Sequence, residues 1–302
     1  MPAIRDGFES WRSQLLRIED LGFDEVAVSE HYTGGWAMEP LAALAFAAAN
    51  TSRLRILTLV LNNDLRHPAV LAKAMATADV LSAGRVSLGI GAGWLPADYR
   101  ALGIPFDRPK VRIERLEEGL NIIRSFFAGG TISCIGRHYS VDNLEALPAP
   151  VQRSGPPILI GAGGPKMLEL AGRAADIVGI HVTLGANGFN QKAAREMSAS
   201  AIAGKIHRVR AAAEAGGRTP PVFQLTPVVV IVDGRRSTAV RPGFTGYVEA
   251  HPEEFADSPA VLVGSAHQIA ESIERWNTDL KIELWHLGAD VTAVAPILAA
   301  VR

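Results

Sequence analysis

Ser82-Ala83-Gly84-Arg85-Val86-Ser87-Leu88-Gly89-Ile90-Gly91-Ala92-Gly93-Trp94 is the stretch on which the fold turns. Val86, Leu88 and Ile90 read as a buried parallel strand, Val86–Ile90, led in by Arg85. Gly89, Gly91 and Gly93 fall at alternate positions. They mark a place where backbone turns or comes very close to something flat or charged. A strand running into a glycine loop at its C-terminal end is where α/β proteins place ligands.

Upstream, Trp11, Leu15, Ile18 and Leu21 recur at helical spacing and Gly22 stops the helix over Phe8–Leu21. Short apolar strands follow at Glu25–Ser29 and Arg55–Leu61, each leading to a proline-led helix, Pro40–Ala49 and Pro68–Leu81. Downstream, Trp94–Arg108 reads as a polar loop and Lys110–Phe127 as an amphipathic helix. Residues 131–156 form a hairpin-like excursion and a proline-rich connector. Strands at Pro157–Ile160, Asp176–Ile180, Phe223–Val232 and Lys281–Trp285 alternate with helices at Lys166–Ala174, Gln191–Ala215, Ser265–Trp276 and Val291–Val301. Ala239–Glu254 reads as a partly helical excursion.

Strand–helix alternation demands parallel pairing through helical crossovers. These are seven strands, one short of a (β/α)8 TIM barrel, in one domain over 1–302. The chain opens on the helix that should follow strand one. Met1–Arg5 is either a remnant of that strand, or the strand lies upstream of Met1.

Composition narrows the partners. Lys and Arg number 30 against 31 Asp and Glu, so no nucleic-acid partner is signalled. Cys134 is the single cysteine, which excludes an internal disulfide and fits a cytoplasmic setting. The longest apolar run, Leu41–Ala49, is too short for a bilayer, and no signal peptide is read at the start.

In a barrel the functional face collects the residues just after each strand. Here these are His31, Asn62–Asp64, Gly91–Trp94, Gly161–Gly164, His181 and His286. Histidine also suits strand ends for packing alone, one edge buried and the other wet. No metal-ligand spacing, Gly-x-Ser-x-Gly elbow or Walker A motif occurs, and Glu30, Asp64 and Asp98 form no evident glycosidase pair. Gly161-Ala162-Gly163-Gly164-Pro165 ends a strand and opens a helix; its uncovered N–H groups are either a phosphate cradle or an ordinary turn. Trp36, Trp94 and Tyr32 are candidates for a flat pocket, and Lys205–Arg210 reads as a solvated helix face.

Taken in order, these phrases resemble the bacterial-luciferase-like flavin/deazaflavin oxidoreductase superfamily. They are Leu21-Gly22-Phe23-Asp24, Val28-Ser29-Glu30-His31, the strand Arg55–Leu61 leading to Arg66-His67-Pro68, Leu81–Val86, Gly89–Trp94, Leu102–Phe106 with Arg112, Ile160–Pro165 and Val263-Gly264-Ser265. The resemblance covers nearly the whole chain and looks most like the branch using the deazaflavin coenzyme F-420; the alternative branch uses reduced FMN. It implies an elongated cofactor in the barrel mouth, its ring against a bulged strand with a non-proline cis peptide near Thr58–Leu59.

On the same resemblance, His31 is the histidine beside the ring and Gly91, Ala92 and Gly93 are backbone positions around it. Gly161, Gly163 and Gly164 form the phosphate loop, and His181 is a phosphate-side donor. Trp36, Trp94 and His286 are expected in the substrate pocket, and a homodimer is expected. Sugar-phosphate dehydrogenases of the family carry a carboxylate directly after the Gly-x-Gly loop, where this chain has Trp94. That favours an apolar or aromatic substrate. The expected reaction is hydride transfer with the deazaflavin; an FMN-dependent monooxygenase and a weakly cofactor-binding barrel are the alternatives.

Overall fold

Parallel strands separated by proline-led helices organise this computed structural model, which describes residues 8–35, 38–183, 190–238 and 244–301. By its internal contacts the chain divides into two compact units, one running to Ile160 and the other from Gly161 onward. Met1–Arg5 lies outside the described residues.

In the first unit the strands are β1 (Glu25–Val28), β2 (Arg55–Thr58), β3 (Leu61–Asn62), β4 (Val86–Gly91), the pair β5 (Thr131–Ile135) and β6 (Ser140–Glu145), and β7 (Ile158–Ala162). β1 lies parallel to β2 with Val26 opposite Ile56, β2 to β4 with Ile56 opposite Val86, and β4 to β7 with Leu88 opposite Ile158. Every residue of β4 is buried, Ser87 and the two glycines included, as the reading of a buried strand requires. β5 and β6 pair antiparallel, so the expected hairpin is present.

The helices Pro40–Asn50, Pro68–Leu81 and Pro109–Ala128 each carry proline in the first turn, where a missing N–H costs nothing. Asp79 is fully buried in the second of these. Its carboxylate accepts from the Val151 and Gln152 N–H groups at 2.7 and 3.0 Å and from Gln152 Nε2 at 2.6 Å, fastening the connector that leads into β7. The expected loop Trp94–Arg108 instead contains a helix, Pro96–Leu102, closed by left-handed Gly103. Proline at its start and glycine at its end fit that helix.

In the second unit β8 (Ile177–Ile180), β9 (Val222–Leu225), β10 (Val229–Val232), β11 (Arg235–Arg236), β12 (Val261–Gly264) and β13 (Ile282–Trp285) follow. β9 pairs in parallel with β8 and with β13. The single strand expected over Phe223–Val232 is two: Thr226-Pro227-Val228 interrupts it, and β10 joins a separate small sheet with β11 and β12. The single helix expected over Gln191–Ala215 breaks into Gln191–Arg195 and Ala199–Ala215, because the Ser198 side chain caps a fresh N-terminus. In the expected excursion, helices occupy Phe244–Ala250 and Pro252–Phe255, and residues 239–243 lie outside the described residues. Ala266–Leu280 starts on a reciprocal capping box between Ser265 and Gln268.

Candidate active site

β2 and β3 are one strand broken by a bulge. Leu57 and Leu61 are four positions apart, while their partners on β4, Ser87 and Ile90, are three apart. The extra residue lifts the segment Leu59-Val60 off the ladder. The Thr58 hydroxyl bridges the gap, donating to the Gly89 carbonyl at 2.9 Å and accepting from the Gly89 N–H at 2.8 Å. The peptide Leu59–Val60 is cis, one bond beyond the expected Thr58–Leu59. Thr58 is buried, whereas Leu59 is partly accessible and donates its N–H to the Val28 carbonyl at 2.7 Å.

The glycines on β4, and Gly93 just after it, are shaped by this bulged strand. A Cβ at Gly89 would stand 2.9 Å from the Thr58 carbonyl carbon and closer still to its oxygen. One at Gly91 would meet Val60 Cγ2 at 3.2 Å. Gly93 has φ +74°, and its Cβ would lie 2.5 Å from Asn62 Oδ1 and collide with the Tyr99 hydroxyl. The side-chain space at all three is thus claimed by the chain itself. Ala92 presents its carbonyl to Arg112 Nε at 3.3 Å, and that guanidinium lies 4.0 Å from the Phe106 ring centre.

His31 follows β1 by three residues. Its Nδ1 lies 2.8 Å from Asp98 Oδ2. The other carboxylate oxygen accepts from the Thr33 hydroxyl at 2.6 Å and the Tyr32 N–H at 3.1 Å. Trp94 meets the imidazole edge-to-face, ring centres 5.7 Å apart at 84°. The His31 side chain keeps 19% of its surface exposed and that of Asp98 only 7%. Burial works to raise the Asp98 pKa, but hydrogen bonds from Thr33, His31 and Tyr32 outweigh it, and the group is held below the usual aspartate range.

The neighbouring carboxylates have their own cations. Glu30 binds Arg66 at 2.6 Å and accepts the Asn62 N–H at 2.7 Å. Asp64 binds Arg115 at 2.9 Å and accepts from the Tyr99 hydroxyl at 2.9 Å. Burial, together with Asp64, holds the Tyr99 phenol above its ordinary value, so it stays a neutral donor. Asp98 therefore differs from Glu30 and Asp64 in being paired with a titratable ring that reaches solvent. It lies 67 residues from His31 in sequence, inside the segment expected as loop.

In the second unit, Gly161, Gly163 and Gly164 lead from β7 into the helix Pro165–Ala174. A Cβ on Gly163 would stand 2.5 Å from the Val182 carbonyl carbon, while one on Gly164 would touch only Thr183 at 3.5 Å. The helix N-terminus has no side-chain cap. The His181 N–H donates to the Ala162 carbonyl at 2.9 Å, which sets His181 beside the glycine turn. Lys205, expected on a solvated face, is buried; its Nζ donates to the His181 carbonyl at 2.5 Å and to Glu196 Oε2 at 2.9 Å. Burial lowers the Lys205 pKa, with Glu196 opposing. At the end of β13, His286 donates its N–H to the Leu225 carbonyl at 3.1 Å, and its Nδ1 accepts from Gln224 Nε2 at 2.9 Å.

His31, Thr58, Leu59, Gly91, Ala92, Gly93 and Trp94 thus gather at the strand ends of the first unit. Gly161, Gly163, Gly164, His181 and His286 lie at the strand ends of the second. Trp36 lies outside the described residues.

Parallel strands alternating with helices, with polar residues collected after the strands, define an α/β protein of the luciferase-like fold class. The chain belongs to the luciferase-like monooxygenase family, whose model matches residues 4–242. A monooxygenase from Streptomyces bottropensis superposes with a TM-score of 0.73 at 23% identity, covering 96% of this chain and 91% of that one. An F-420-dependent secondary alcohol dehydrogenase, solved with an F-420–acetone adduct, gives 0.73 at 19% identity over 96% of this chain and 94% of that one. These likenesses carry the fold. In sequence the chain is 38% identical over 164 residues to an F-420-dependent glucose-6-phosphate dehydrogenase from Beutenbergia cavernae, 52% of this chain and 48% of that protein. The chain therefore spans about half the length of the curated relatives it matches.

Proposed function

We propose that this protein is an oxidoreductase that moves a hydride between the deazaflavin coenzyme F-420 and an apolar or aromatic organic substrate. The observation that carries the reading is His31: a partly exposed imidazole, braced by Asp98 and Trp94, beside a bulged strand. The names of the sequence relatives support the deazaflavin. Bound, the coenzyme supplies the hydride chemistry. His31 takes up or delivers the accompanying proton at Nε2, since imidazole is suited to that exchange near neutral pH.

Each unit offers residues suited to one part of such a group. On the ring side we assign Thr58, Leu59, Gly91, Ala92 and Gly93; on the phosphate side Gly161, Gly163, Gly164 and His181. The uncapped N-terminus of Pro165–Ala174 offers backbone N–H groups that no side chain uses, as an anion requires. Trp94 at the His31 ring supports an apolar or aromatic substrate over a sugar phosphate, with Trp36 and His286 assigned to the same role. Titrating the protein separately with F-420 and FMN tests the reading: a saturable response to the deazaflavin is expected. An FMN-dependent monooxygenase is the second reading, favoured by the family's description; tight FMN binding without a deazaflavin response would establish it.

We also assign a homodimer. Val70 and Leu81 stand exposed on the helix Pro68–Leu81, beside an apolar groove bordered by Leu41, Leu44 and Leu144. Among the described residues no helix is long and apolar enough to cross a membrane. The balanced charge and single cysteine support a cytoplasmic setting.

A further inference from the structure

We propose that Asp98 is a positioning residue for His31, holding its imidazole as the Nδ1–H tautomer so that Nε2 carries the lone pair. The proposal rests on the reading of His31 as the proton-exchanging group. A carboxylate only accepts hydrogen bonds, so a neutral imidazole 2.8 Å from Asp98 Oδ2 must turn an N–H toward it. The nitrogen facing Asp98 is Nδ1.

Asp98 is itself immobilised. Its second oxygen holds two donors, Thr33 Oγ1 at 2.6 Å and the Tyr32 N–H at 3.1 Å. The next residue, Tyr99, is fully buried, with its hydroxyl donating to Asp64 at 2.9 Å and lying 3.1 Å from Asn62 Oδ1. The helical turn bearing Asp98 is therefore pinned on both sides of the carboxylate. Its pKa, held below the ordinary aspartate range, keeps it an acceptor at neutral pH.

Trp94 adds the second constraint. Its edge-to-face contact opposes rotation of the ring about its own axis. One short segment, Trp94 to Asp98, thereby sets both the orientation and the tautomer of His31. A carboxylate–imidazole pair of this kind stabilises the imidazolium and fixes which nitrogen exchanges protons.

The test is the nitrogen spectrum of histidine-labelled protein, recorded at a pH where the His31 ring is neutral. Long-range proton–nitrogen correlations report each ring nitrogen as protonated or lone-pair bearing, and His31→Gln identifies the His31 signals by their loss. Wild type is expected to show Nδ1 protonated and Nε2 bare. In Asp98→Asn the side-chain oxygen stays with Thr33 and Tyr32, which both donate, and the amide N–H turns to His31. The two signal types are then expected to exchange, Nδ1 becoming the bare nitrogen. Nε2–H in wild type, or an unchanged pattern in Asp98→Asn, overturns the proposal. If Asp98→Asn does not fold, the wild-type spectrum decides alongside Thr33→Val, which keeps the His31–Asp98 pair and must keep Nδ1–H. A deazaflavin titration of the same samples separates the two claims. The expected tautomer without coenzyme binding refutes the proposed function alone, and binding with the wrong tautomer refutes the role of Asp98 alone.

Discussion

Replacing Gly89 by alanine tests the bulge most severely. The new Cβ would stand 2.9 Å from the Thr58 carbonyl carbon and deeper still against its oxygen. Both neighbours are backbone, so no rotamer change relieves the overlap. Overpacking a buried site costs about 1–3 kcal/mol. Parting the strands also breaks the two hydrogen bonds between the Thr58 hydroxyl and the Gly89 backbone. At about 1 kcal/mol each, these bring the total to about 3–5 kcal/mol. Against a domain stability of about 5–15 kcal/mol, that is a large fraction. With a urea m-value of about 2 kcal/mol/M, the midpoint should fall by roughly 2 M. Gly91→Ala, whose Cβ would meet only Val60 Cγ2 at 3.2 Å, should lose about 1 kcal/mol. Gly204→Ala, within the helix Ala199–Ala215 and meeting nothing, should gain about 0.5–1 kcal/mol. Urea unfolding of the three variants beside wild type decides the order. A Gly89→Ala midpoint within about 0.3 M of wild type, on the same m-value, would refute the reasoning.

Four further outcomes are expected. His31→Phe should cut turnover about 100-fold or more while deazaflavin affinity, read by titration, stays near wild type; wild-type turnover would remove His31 from the chemistry. Because the folded Asp98 carboxyl is held below its ordinary value, its contribution is present above about pH 4 and lost as pH falls through the folded pKa. The stability gap between wild type and Asp98→Asn should therefore be widest at neutral pH and close on acidification; a gap constant from pH 7 to 3 would contradict this. Lys205→Met removes the cation beside Glu196 and the donor to the His181 carbonyl, and should cost roughly 3 kcal/mol in chemical denaturation, whereas a solvated lysine would cost almost nothing. Light scattering after size exclusion should give twice the chain mass, and Leu81→Glu should halve it; a wild-type monomer would refute the dimer.

Much of the frame was legible because its signals are local. Proline at a first helical turn marked Pro40–Asn50 and Pro68–Leu81, and amphipathic spacing marked Pro109–Ala128, each within a residue or two. An unbroken apolar run marked β7, and Val86, Leu88 and Ile90, separated by small Ser87 and Gly89, marked β4. The alternating glycines of β4 were visible, but not what they faced. Their partners, Thr58, Val60 and Asn62, arrive through the bulge, which only strand register reveals. The pairing of Asp98 with His31 escaped for a related reason: proline, glycine and charge made its segment read as loop. The available signal was Pro96 with an acidic residue two positions on, a helix opening. Lys205 looked solvated because charge alone was visible; its partners come from the helix break at Glu196 and from the end of β8. Pro227 should have split the strand Phe223–Val232, because a central strand does not tolerate proline.

The central claim is the coenzyme. Purified protein titrated with F-420, followed by its absorbance and fluorescence, should show a saturable change at one equivalent per chain. FMN under the same conditions should show none. Saturable FMN binding with no response to the deazaflavin would contradict the account.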